Sequence, residues 1–116
     1  MNILVLEDDP TRQDIFKEKL KEHALTLVDN AKECIELLDT EYFEIIFLDH
    51  DLGEEVFVRM EEKNTGSEVA RWIHKNLWKV ERSKVIIHSF NPVGGLNMHL
   101  LIPDSIYCPG AWNYLK

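Results

Sequence analysis

The run Ile45-Ile46-Phe47-Leu48, with the polar residues that close it, constrains this chain more than any other stretch. Four consecutive apolar residues show no helical period and fall far short of the roughly 20 needed to cross a bilayer, so they predict a strand buried on both faces. Asp49, His50 and Asp51 follow directly. Two carboxylates and an imidazole are thereby placed at the carboxyl end of a central strand, where open α/β sheets bind their ligands.

The same pattern recurs along the chain. Ile3-Leu4-Val5-Leu6 is an apolar run ending in Glu7, Asp8 and Asp9, and Val85-Ile86-Ile87 ends in His88 and Ser89. A weaker strand is predicted over Ala24 to Val28 and a fifth over Ser105 to Cys108. Between the strands lie helical signals. Asp9-Pro10 reads as a cap and first turn, with Ile15, Phe16, Leu20 and Ala24 facing inward; Asn30 to Glu33 has capping-box spacing. Thr65-Gly66-Ser67 precedes a helix whose inward residues are Val69, Ala70, Ile73 and Leu77. Asn91-Pro92-Val93-Gly94-Gly95 breaks the pattern before a helix running through Met98 and Leu101. Glu54 to Asn64 is charged yet carries an alternating set, Val56, Val58 and Met60, and reads as a small hairpin or a lid.

Strands alternating with helices imply right-handed βαβ units, an α/β fold with a doubly wound five-stranded parallel sheet in the order 2-1-3-4-5. At 116 residues the chain is expected to be a single domain, 1-116, with too few residues after the fifth strand for a full last helix. A net charge of −8 argues against a long nucleic-acid duplex as partner, though not against a nucleic-acid end met through a metal ion. The chain opens on a strand and holds no membrane-length apolar segment, so a cytoplasmic protein without membrane contact is expected. Cys34 and Cys108 lack metal-ligand spacing and are expected as free thiols. Trp72, Trp78 and Trp112 are expected to pack rather than stack on bases.

In that strand order the first and third strands are neighbours, and Glu7, Asp8 and Asp49, with Asp9 and Asp51 nearby, crowd one crevice. Two carboxylates about 4 Å apart repel by roughly 4 kcal/mol at an effective dielectric of 20, so the group calls for protons or a cation. Few ligands, all oxygen, suit Mg²⁺ or Mn²⁺, with Glu7, Asp8 and Asp49 as the metal ligands. Asp9 has the alternative of capping a helix, and Asp51 of opening a turn. The fourth strand brings His88, Ser89 and Asn91 beside the third. His50 and His88 are then candidate proton carriers, and Ser89 and Asn91 candidate grips for phosphate oxygens. Gly94-Gly95 would let backbone amides approach an anion.

The placement of Glu7, Asp8, Asp49 and Ser89 resembles the receiver domain of two-component response regulators over nearly the whole chain. That resemblance implies a flavodoxin-like fold, Mg²⁺ on the acidic residues, and phosphorylation of Asp49 by a histidine kinase. It also implies a lysine before the proline at the end of the fifth strand, where Cys108-Pro109 stands. The segments LDHDLG, Leu48 to Gly53, and HSFNPVGGLNM, His88 to Met98, are similar to the narrower group of cyclic-phosphate processing receiver domains. This second resemblance implies a metal-dependent phosphoesterase acting on cyclic phosphate ends of RNA or nucleotides, in the company of RNA-repair enzymes. Its catalytic candidates are Asp49, His50, Asp51, His88, Ser89 and Asn91. The alternatives are a stand-alone receiver switched by phosphorylation of Asp49, and a degenerate receiver that binds only a protein partner.

Overall fold

The computed structural model describes residues 1–51 and 65–110. Five strands, β1 (Asn2–Leu6), β2 (Ala24–Val28), β3 (Ile45–Leu48), β4 (Lys84–Ile87) and β5 (Ile106–Tyr107), form one parallel sheet in the order β2-β1-β3-β4-β5. Four helices connect them: α1 (Pro10–Lys19), α2 (Ala31–Thr40), α3 (Gly66–Lys75) and α4 (Pro92–Leu101). The strand order is the expected one. Glu54 to Asn64, Trp112 and the last helix fall outside the described residues, wholly or in part.

The helices start where their caps dictate. Asp9 accepts the Arg12 N–H, Asn30 the Glu33 N–H, Thr65 the Glu68 N–H and Asn91 the Gly94 N–H, each satisfying a donor that the first turn leaves without a partner. Several expectations shift, among them Ala24, expected on the inner side of the first helix, which is the exposed first residue of β2. Residues 91–95 are the cap and first turn of α4, and Leu77 leaves α3 for a short 3-10 turn where it is exposed. Trp78 also turns outward, 67% exposed, with the Lys79 ammonium 4.9 Å above its ring.

Successive side chains of a strand point to opposite faces, and this alternation divides the core. Leu4, Leu6, Ile46, Leu48, Val85 and Ile87 lie on one side of the sheet with Cys34 and Leu38 of α2, Val69, Ala70 and Ile73 of α3, and Met98 of α4. Ile3, Val5, Phe47 and Ile86 lie on the other side against Phe16 of α1 and the neighbouring Leu20. Each such fully buried side chain contributes about 1.5–3 kcal/mol, so both layers are strongly specified. The register completes the frame. Leu6 pairs with Leu48, and Leu48 with Ile87, so the next residues, Glu7, Asp49 and His88, form one further row across the sheet.

Candidate functional site

Alternation carries Glu7, Asp49 and His88 to the α1 side of the sheet, in line with Val5, Phe47 and Ile86. The ladder runs on into this row: Asp49 N donates to Leu6 O at 3.2 Å and His88 N to Leu48 O at 3.0 Å. One ligand atom from each of the three side chains lies within 4.8 Å of the other two, and all three residues are buried. His88 Nε2 lies 3.1 Å from Glu7 Oε1, its ring wedged edge-on against Phe16 and Phe47.

Arg12 closes the fourth side. Its Nε donates to Glu7 Oε1 at 2.8 Å and its Nη2 to Oε2 at 3.2 Å, with Nη2 3.7 Å from Asp49 Oδ2. The guanidinium also lies 5.9 Å from the centre of the exposed Phe90 ring, and its side chain is 31% exposed. Sequence reasoning missed it. A cation in the first turn of a helix opposes the helix dipole, which is the signal that a local acidic partner holds it there.

The two carboxyls divide the charge unequally. Burial works against charged Glu7, yet hydrogen bonds from His88 and Arg12, the His88 charge and the Asp9 N–H outweigh it and hold the carboxyl at about 2. Because Glu7 is ionised, the proton between it and His88 resides on Nε2. Burial, followed by the negative Glu7 beside it, pushes the Asp49 carboxyl up to about 8 despite Arg12 and the His50 N–H. Asp49 Oδ2 is buried with no hydrogen-bond partner. Such an atom beside the ionised Glu7 suits a divalent cation that takes the place of the Asp49 proton, and the fit holds for Glu7 and Asp49. The third group is an imidazole, where Mg²⁺ favours oxygen.

The other predicted residues point elsewhere. Asp8, expected as a ligand, is half-buried and is not among the three residues whose donor atoms converge. His50, expected to share the crevice with His88, lies on the far face of the sheet beneath α4. Its ring is so close to Gly94 that a Cβ there would come within 2.5 Å of it. His50 Nδ1 pairs with Asp51 Oδ1 at 2.9 Å, and Nε2 is buried without a partner. Asn91 is occupied: its amide reaches Asp51 Oδ1 at 3.2 Å and its carbonyl caps α4. Ser89 is buried, its Oγ accepting the Asn91 N–H at 3.1 Å. Gly94 and Gly95 offer no anion nest. They are helical residues that make room for His50 and for Tyr107.

A model of the cyclic-phosphate processing receiver domain matches residues 2–104. The chain belongs to this family. Solved structures similar to this receiver domain include the phosphorylated cyanobacterial phytochrome response regulator RcpA, with a TM-score of 0.75 and 19% identity over 99% of this chain and 88% of that one. The Mn²⁺-bound response regulator Rcp1 has a TM-score of 0.72 and 18% identity, over 98% and 88% of the two chains. TrrA from Thermotoga maritima, in complex with Mg²⁺ and BeF, has a TM-score of 0.70 and 20% identity, over 99% and 92%. No curated protein matches the receiver domain in sequence. Among its described residues no helix is long and apolar enough to cross a membrane. At the end of β5, where the receiver resemblance implies lysine, Cys108 donates its backbone N–H to Ile87 O at 2.8 Å.

Proposed function

We propose that this receiver domain is a metal-dependent phosphoesterase that opens cyclic phosphate ends of RNA or nucleotides. The observation that supports this reading is the buried row Glu7, Asp49 and His88, which joins an imidazole to the acidic pair. The phosphoryl-acceptor reading does not call for this imidazole. The family's description points to the same chemistry.

In this reading Glu7 and Asp49 hold a divalent cation between them. When bound, the cation supplies Lewis-acid polarisation of a phosphoryl oxygen and a hydroxide nucleophile at neutral pH. Arg12 is partly exposed beside the acidic pair, and its planar fork matches two phosphate oxygens once it leaves Glu7. The His50–Asp51–Asn91 contacts tie the end of β3 to the start of α4 and so fix the rim opposite Arg12. Both imidazoles are buried, so in this reading neither protonates a leaving ribose oxygen; His50 fixes the rim and His88 belongs to the acidic pair.

Turnover of a 2′,3′-cyclic nucleotide in the presence of Mn²⁺, Mg²⁺ or Zn²⁺ tests the proposal. Wild type should hydrolyse it, and Glu7→Gln and Asp49→Asn should each lose at least about 10²-fold, the scale seen when one stabilising group leaves a catalytic site. No turnover with any of the three ions defeats it. A second reading, a receiver phosphorylated by a histidine kinase, is favoured by the position of Asp49 at the end of β3 and the likeness to phosphorylated RcpA. A small phosphodonor with Mg²⁺ would then add one phosphoryl mass to wild type and none to Asp49→Asn.

A further inference from the structure

We infer that His88 is itself a metal ligand, so that the pocket takes a first-row transition ion with affinity for imidazole in preference to Mg²⁺. The inference rests on the metal-binding part of the proposed function and not on its substrate.

The register supplies the geometry. Glu7, Asp49 and His88 occupy one row of three adjacent strands, and a single point can be reached by one donor atom from each. His88 has little freedom to leave. Its ring is held by Phe16 at 5.1 Å and Phe47 at 6.4 Å between centroids, with Nε2 turned to Glu7 at 3.1 Å. For ligation the proton leaves Nε2 and the neutral ring keeps its one proton on Nδ1, so that the Nε2 lone pair meets the cation. A buried, preset imidazole loses little rotamer entropy when a cation arrives, so it ligates more readily than a mobile surface histidine.

The second observation is the orphaned Asp49 Oδ2, in a residue 4% exposed. A carboxylate oxygen buried without a donor costs free energy unless a proton or a cation reaches it. It lies on the same side as His88 Nε2 and Glu7. Two carboxylate oxygens and one imidazole nitrogen leave positions open for water or a phosphate oxygen. Mixed nitrogen and oxygen donors suit Mn²⁺, Fe²⁺, Co²⁺ and Zn²⁺, whereas Mg²⁺ seeks oxygen throughout and keeps most of its water.

The test uses the intact chain, the metal salts alone and no substrate. In protein labelled with ¹⁵N at histidine, Zn²⁺ should shift the His88 ring nitrogens while Mg²⁺ leaves them unmoved. Competition titrations should show Zn²⁺ bound at least about 100-fold more tightly than Mg²⁺, and His88→Gln should cost Zn²⁺ about 10-fold or more while sparing Mg²⁺. Should His88→Gln fail to fold, the ring-nitrogen shift in wild type decides. Zn²⁺ that binds without moving those nitrogens, or that does not bind, overturns the inference. Zn²⁺ on His88 without turnover of any cyclic phosphate leaves the inference standing and removes the proposed activity.

Discussion

Arg12 shows how one side chain sets the terms for the pocket. Its guanidinium occupies both oxygens of Glu7 and leans on Asp49, so any divalent ion must displace it. A charge-assisted pair of this kind is worth about 1.5 kcal/mol, and Arg12→Gln should therefore bind Mn²⁺ roughly tenfold more tightly, as read by titration calorimetry. Acidity at the same site gives a second prediction. The folded protein keeps a proton on Asp49 up to about 8, whereas the unfolded chain releases it near 3.8. This contribution to stability is full below 3.8 and is lost as pH rises to about 8. Glu7 runs the other way: its contribution is present above 4.5 and lost as pH falls toward about 2. Metal-free protein should thus melt at progressively lower temperature as pH rises from 5 to 8, and Asp49→Asn should flatten that slope. Glu7, Asp49 and His88 were legible as chemistry because each ends an apolar run. Arg12 was hidden, since its role depends on the direction in which the first turn of α1 looks back.

At the level of elements, strand parity separates what composition had grouped. His50 and His88 each follow a polar-ended strand, yet His88 continues the Ile86 face and His50 the Leu48 face. The register that pairs Leu6 with Leu48 and Leu48 with Ile87 would have sorted them from sequence, had alternation been carried one residue past β4 and two past β3. The glycines of α4 were misread for a different reason. Paired glycines signal a turn locally, and only the approach of His50 after β3 and of Tyr107 on β5 explains their place inside a helix. Gly94→Ala tests this. Alanine gains about 1 kcal/mol of helix propensity, but a Cβ against the fixed His50 ring costs about 1–3 kcal/mol in strain. The variant should lose stability in urea melts, and Gly94→Ala combined with His50→Ala should lose less than the sum of the two single changes.

For the molecule as a whole, the sheet order followed from alternating strands and helices because right-handed crossovers leave few topologies open. Residues 52–64 carried no clear period and lie outside the described residues, so the hairpin or lid expected there stands without a structural counterpart. A cation that binds the folded form alone stabilises it by about 2.7 kcal/mol at a hundredfold excess over Kd. Stopped-flow unfolding in guanidinium with and without Zn²⁺ should show where that energy acts: the unfolding arm should slow, and the refolding arm should change little.

The row of Glu7, Asp49 and His88 is also a statement about time. Its members are spaced across most of the chain and meet only after β1, β3 and β4 have aligned, so no early fragment can trap an ion. A cation here cannot nucleate the chain; it latches a finished sheet. Chelation should therefore shorten the lifetime of protein already folded while leaving newly made chains to fold at their usual pace.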